Sequence, residues 1–86
     1  MSRRIEVCGV QQKHLENVYH TKIHEINAQL KMMNEKYKNW DNIDDERLKS
    51  IYTKEEYKIK FIDWMREERS LYVQKLKNVR NGFVIE

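Results

Sequence analysis

The sequence predicts a mostly α-helical fold, a long antiparallel helical hairpin with a short connecting helix. Three observations lead to this prediction. The 86 residues include no proline and only two glycines, so residues that interrupt helices are scarce. Apolar residues recur at heptad spacing in two long segments, and a cluster of Asp and Asn residues separates these segments. We therefore expect a single domain over residues 1–86.

The first long helix is predicted over residues 12–39. Its apolar residues are spaced alternately four and three apart, which is the a/d pattern of helices that pack side by side. This seam consists of Tyr19, Ile23, Ile26, Leu30, Met33, Tyr37 and Trp40. Leu15 extends the seam backward by one turn, so nearly the whole helix has one apolar edge to bury.

A compact connector is predicted after the first helix. Residues 40–46 are rich in Asp and Asn, whose side chains bond nearby backbone N–H groups and so favour turns and helix starts. A short helix over 44–51 follows, with acidic residues near its start, where the helix dipole is positive. We expect this helix to bury Leu48 and Ile51, with Tyr52 beside them.

The second long helix is predicted over residues 54–80. Thr53 and Glu56 have the spacing of a capping box, in which each side chain bonds the backbone N–H of the other residue. Gly82, after Asn81, is expected to supply the left-handed residue that ends the helix. The seam of this helix consists of Ile62, Met65, Tyr72, Leu76 and Val79, with Phe61 beside it.

The two ends of the chain carry short strand-like segments at residues 4–8 and 83–86. An antiparallel hairpin brings its two ends together opposite the connector. These segments could therefore pair as a two-stranded ribbon, in which Cys8 would be a small apolar strand residue.

The second helix carries more apolar residues than its seam needs. Tyr57, Trp64 and Leu71 recur every seven residues and lie about 80–120° to one side of the seam, and Val73 lies about 80° to the other side. The apolar arc is then roughly 200° wide, which a single partner helix cannot cover. We expect the short helix, a second copy of the chain or another protein to cover the remainder.

These features indicate a small non-enzymatic protein-interaction module, such as a regulator or inhibitor of the kind encoded by phages and mobile elements. It would present a helix face to a partner protein or dimerise into a helical bundle. Trp, Tyr and Arg often anchor protein interfaces. The predicted contact residues are Tyr57, Phe61, Trp64 and Leu71, with Lys60 and Arg66 at the rim.

Nucleic-acid binding is the alternative function. The net charge is +3, and the part of the chain beyond Glu46 carries +4, so basic residues are concentrated there. However, Glu55 and Glu56 start the helix that would enter a DNA groove, and they would repel phosphates. We therefore rank this function second.

Other classes of function find little support in the sequence. His20 and His24 lie four apart and Glu16 lies four before them, but the spacing lacks the Glu of a His-Glu-x-x-His site. Cys8 is the single cysteine and has no metal-binding or catalytic partner in sequence. We therefore expect no enzymatic activity, no metal and no cofactor. The mean hydropathy is −0.96 and no segment is apolar enough for a membrane span, so we expect a cytoplasmic protein.

Overall fold

The computed structural model describes residues 3–85 and confirms the helical hairpin, including a two-stranded sheet formed by the chain ends. Helix α1 (Gly9–Lys38) packs against helix α4 (Trp64–Arg80) along most of the molecule. In chain order the elements are β1 (Arg4–Glu6), α1 (Gly9–Lys38), a 3-10 turn (Trp40–Asn42), α2 (Glu46–Ile51), α3 (Lys54–Tyr57), a π-helical segment (Lys58–Asp63), α4 (Trp64–Arg80) and β2 (Phe83–Ile85).

Helix α1 begins three residues earlier than the sequence predicted. The backbone N–H of Gln12 donates to the carbonyl of Cys8 at 2.8 Å, so the first turn already includes Gly9. The Gln12 side-chain amide also donates to the carbonyl of Arg80 at 3.2 Å, which ties the start of α1 to the end of α4. Cys8 therefore precedes α1 as an exposed residue, and the prediction that it belongs to a strand is wrong.

The short helix of the connector, α2, begins later than predicted and is therefore shorter. Helix α2 starts at Glu46 because the Asp45 carboxylate accepts the Leu48 backbone N–H at 3.1 Å. Leu48 is half-buried, as expected. Ile51 is 58% exposed, so the prediction that α2 buries it is wrong. Helix α2 is only six residues long, and Ile51 is its last residue.

The second long helix has the predicted bounds but not a uniform geometry. The capping box is present, since the Thr53 hydroxyl accepts from the Glu56 N–H at 3.2 Å and the Glu56 carboxylate accepts from the Thr53 N–H at 3.3 Å. One turn later the helix widens into the π-helical segment, which ends at Asp63. Helix α4 then continues to Arg80.

The chain ends pair as the geometry of the hairpin predicted. Strands β1 and β2 are antiparallel, with Ile5 opposite Val84, and the Val7 N–H donates to the Gly82 carbonyl at 3.0 Å. Gly82 has a φ of 90°, a left-handed conformation that lets the chain turn from α4 into β2. The strands are shorter than predicted, and Glu86 lies outside the described residues.

The hydrophobic core lies along the two predicted seams, with Tyr57 added to them. Its buried side chains, among the described residues, are Ile26, Trp40, Tyr57, Ile62, Leu76 and Val79. The molecule measures 50 × 26 × 16 Å. Because a helix with its side chains is about 10–12 Å across, the smallest dimension corresponds to a single layer of helices. At the connector end α2 lies against this layer, where Leu48 packs on the core cluster of Trp40, Tyr57 and Ile62.

Candidate partner-binding surface

Tyr57 was predicted to contact a partner, but the structure places it in the core. The ring is only 4% exposed, and its centroid lies 5.3 Å from that of Trp40 and 5.1 Å from that of Phe61. Burial raises the pKa of the Tyr57 phenol above its usual value of 10.0. Phe61 is half-buried and packs edge-on against Tyr52 at 5.2 Å. Both rings therefore hold the connector to the hairpin.

The π-helical segment explains why Tyr57 leaves the surface. In a regular α-helix, Tyr57, Trp64 and Leu71 would lie on one ridge, because seven residues make almost two full turns. A π-helix bonds i to i+5 and advances each residue by a smaller angle. Over the six residues Lys58–Asp63 the helix therefore rotates roughly a quarter turn less than an α-helix would. This difference moves Tyr57 from the ridge into the seam. Trp64 and Leu71 follow the segment and stay on the ridge.

Trp64 and Leu71 are the predicted contact residues that the structure leaves accessible. Trp64 is 54% exposed and Leu71 is 57% exposed. They lie one heptad apart on α4 and so on one side of the hairpin. They are available to a second polypeptide without any rearrangement of the core.

The two basic residues predicted at the rim lie on different sides. The Lys60 ammonium group lies 4.0 Å from the Glu56 carboxylate and 5.4 Å from the centroid of the Tyr52 ring. Arg66 is exposed, but it follows Trp64 by two residues and so lies roughly 200° around the helix. Arg66 therefore faces away from Trp64 and cannot flank it.

Helix α1 adds two residues to this side that the sequence analysis did not select. Val18 is 45% exposed and Met32 is 62% exposed. They are fourteen residues apart, about four turns, so they lie on one side of α1. Both residues lie outside the buried seam of α1. Their spacing of two heptads is the sequence signal that could have identified them as a second apolar row on α1. We call Val18, Met32, Trp64 and Leu71 the apolar face.

Three grooves lie along the hairpin, and two of them are lined by residues of both α1 and α4. One is formed by Val18 and His14 of α1 with Tyr72 and Lys75 of α4. His14 and Lys75 also line a larger groove at the ribbon end, which contains Leu71. At the connector end, Met32 lines a third groove together with Phe61. The apolar face therefore runs along the hairpin between its two ends.

The larger groove, which we call the ribbon-end groove, has a volume of about 830 Å³. It lies where the two-stranded ribbon meets α1 and α4, and its walls are largely aliphatic. The apolar residues that form it include Ile5, Val10, Leu15, Leu71, Val84 and Ile85. Of these, Val10 is 83% exposed and Ile85 is 46% exposed. The groove continues the apolar face to the end of the molecule.

The histidines that the sequence analysis considered as metal ligands do not form a metal site within the described residues. His20 and His24 are exposed on α1, and residues 3–85 contain no group of three His, Cys, Asp or Glu side chains placed to hold a metal ion. No helix within the described part of the chain is long and apolar enough to cross a membrane. No protein-family model, curated protein or solved structure matches the chain. Its function is therefore inferred from the surface described above.

Proposed function

We propose that this protein is a non-enzymatic protein-interaction module whose apolar face is covered by another polypeptide. The observation that carries the proposal is the gathering of Val18, Met32, Trp64 and Leu71 on one side of a single layer of helices. Stable domains usually bury their apolar faces between two layers. This hairpin supplies only one layer, so a second polypeptide would complete the arrangement.

The energetic gain from covering Trp64 alone is a substantial fraction of the stability of a small domain. The exposed half of Trp64 amounts to on the order of 130 Å², and burying it would contribute about 3 kcal/mol. A chain of this size has a total stability of about 4–13 kcal/mol. Binding at this face would therefore stabilise both the complex and the fold.

The class of interaction protein that we propose is a small regulator or inhibitor of the kind encoded by phages and mobile elements. Such a protein would act either by presenting a preorganised helix face to its target or as a helical-bundle dimer. The richness of the chain in Lys, Asn, Ile and Tyr, whose codons are rich in A and T, supports an AT-rich source of this kind.

Site-specific photocrosslinking in cells that produce the protein tests this function directly. A photoreactive phenylalanine would replace Trp64 in one variant and Arg66 in a control. Arg66 is exposed and lies roughly 200° around α4 from Trp64, so it points away from the apolar face. We expect a discrete crosslinked polypeptide from position 64 and none from position 66. Equal or absent crosslinking at the two positions would refute the proposal.

Nucleic-acid binding is the second candidate, and one observation favours it. The ammonium groups of Lys22 and Lys75 lie 5.9 and 5.0 Å from the centroid of the Tyr72 ring, which forms a small basic and aromatic cluster. Such clusters can hold single strands by phosphate contacts and base stacking. Fluorescence anisotropy with labelled single- and double-stranded oligonucleotides tests it, because binding by these lysines must weaken steeply as salt rises.

A further inference from the structure

We infer that the polypeptide that covers the apolar face is a second copy of this chain, packed antiparallel to the first in a four-helix bundle. This inference rests on the proposed function and names its partner. A two-fold axis would lie across the hairpin, perpendicular to the helices, near the level of Glu25 in α1. Each α1 would then pack against the other α1, and each α4 against the other α4.

The accessible surface of the chain exceeds that of a compact monomer by enough to form a dimer interface. Its accessible surface is 6730 Å², whereas a compact monomer of 10.7 kDa is expected to expose about 5500 Å². The excess of about 1200 Å² exceeds the roughly 800 Å² that each partner contributes to a standard stable interface. The radius of gyration, 17.1 Å, also exceeds the roughly 12 Å expected for a compact domain of 86 residues. Pairing two thin hairpins face to face would bring both values toward those of a compact molecule.

A two-fold interface requires that the paired positions of both helices be centred at one level. The midpoint of Val18 and Met32 in α1 is Glu25. The midpoint of Trp64 and Leu71 in α4 lies between Glu67 and Glu68. An antiparallel second copy would therefore set Val18 against Met32, and Trp64 against Leu71, twice each.

Contacts within the hairpin place both midpoints at one level, so a single axis can serve both helices. The Arg69 guanidinium donates to the Asn27 side chain at 2.7 Å. The rings of Tyr19 and Tyr72 lie 6.1 Å apart. These contacts align the middle of α1 with residues 67–70 of α4, to within about one turn.

The charges near the axis give this arrangement a distinctive salt dependence. Glu25 lines the groove beside Val18 and Lys75, on the apolar face. The two-fold axis sets it beside its own copy, and like charges at such a contact repel. Higher salt should screen this repulsion and tighten the dimer. Glu25→Gln should tighten the dimer at low salt and reduce the effect of salt. Nucleic-acid binding would show the opposite salt dependence.

Sedimentation equilibrium over micromolar to millimolar concentrations is the first test. We expect a monomer–dimer equilibrium that Trp64→Glu and Val18→Glu each weaken at least tenfold, while Arg66→Glu, on the opposite side of α4, does not. Circular dichroism of each variant separates this effect from unfolding, and Val18 lies on the other helix from Trp64, so the two variants check each other. A monomer throughout this range would overturn the inference.

The native cysteine allows the direction of packing to be measured. Cys8 is exposed at the ribbon end, about 25 Å along the helix from the level of Glu25. Spin labels on the two copies of Cys8 should therefore lie about 50 Å apart in the antiparallel dimer, as measured by electron double resonance. A separation within roughly 25 Å would mean parallel packing and would overturn the inference.

The crosslinking experiment at position 64 separates the inference from the function on which it rests. A crosslinked band of twice the mass of the chain supports the second copy. A band that contains a different protein overturns the inference and leaves the proposed function standing. No band overturns both.

Discussion

Replacing Tyr57 with alanine should destabilise the fold severely, because the structure makes this residue part of the core. The substitution removes a ring that contacts Trp40 and Phe61 and leaves a cavity at the junction of the hairpin and the connector. Loss of a buried large aromatic side chain costs about 3–5 kcal/mol. The expected stability of a chain of this length is about 4–13 kcal/mol, so the variant would lose much of it.

Urea denaturation followed by circular dichroism at 222 nm measures this loss. A domain of this size has a slope near 1 kcal/mol per molar urea, so the midpoint should fall by roughly 3 M or more. Tyr57→Phe is the matched control, since it keeps the ring, and it should change the stability by less than about 1 kcal/mol. A loss below about 1 kcal/mol for Tyr57→Ala would refute the placement of Tyr57 in the core and return it to the surface.

Three further changes follow from local features of the fold. Because folding raises the pKa of Tyr57, the folded state keeps the phenol proton at alkaline pH values where the unfolded state has lost it. The resulting contribution to the free energy of unfolding is complete below pH 10 and is lost as the pH rises through the folded pKa. Denaturation curves should therefore show a smaller alkaline loss of stability for Tyr57→Phe. Thr53→Ala removes the capping box and should lower the free energy of unfolding in urea by about 1 kcal/mol, whereas Ser at this position should retain most of it. Gly82→Ala should lower the free energy of unfolding by about 1–2 kcal/mol in thermal or urea melts, because an alanine is strained at a φ of 90°. No atom lies near the added Cβ, so this backbone strain is the whole of the expected cost. An unchanged melt would contradict the left-handed turn.

Much of the fold could be predicted because its signals are local in the sequence. The heptad spacing from Tyr19 to Trp40 identified α1, and the Thr53–Glu56 pair identified the start of the second long helix. The ribbon followed from the geometry of an antiparallel hairpin rather than from its own short strands.

The surface was harder to predict, because it depends on tertiary structure. The π-helical segment has no clear sequence signal, yet it turns Tyr57 inward and leaves Trp64 outside. Val18 and Met32 are visible in the sequence as apolar residues outside the seam of α1. Their alignment with Trp64 and Leu71 depends on the register of α1 against α4, which side-chain contacts such as that between Asn27 and Arg69 reveal.

The antiparallel ribbon also determines how the domain responds to mechanical force. Strands β1 and β2 place Arg4 directly opposite Ile85, so tension applied at these two residues pulls the strands apart sideways. The backbone hydrogen bonds of the ribbon then break one pair at a time. The force is afterwards carried by the α1–α4 seam, whose contacts also break one after another, starting at the ribbon end. The hairpin should therefore unzip at low force from its ribbon end, while the aromatic cluster around Trp40 at the far end is the last part to open.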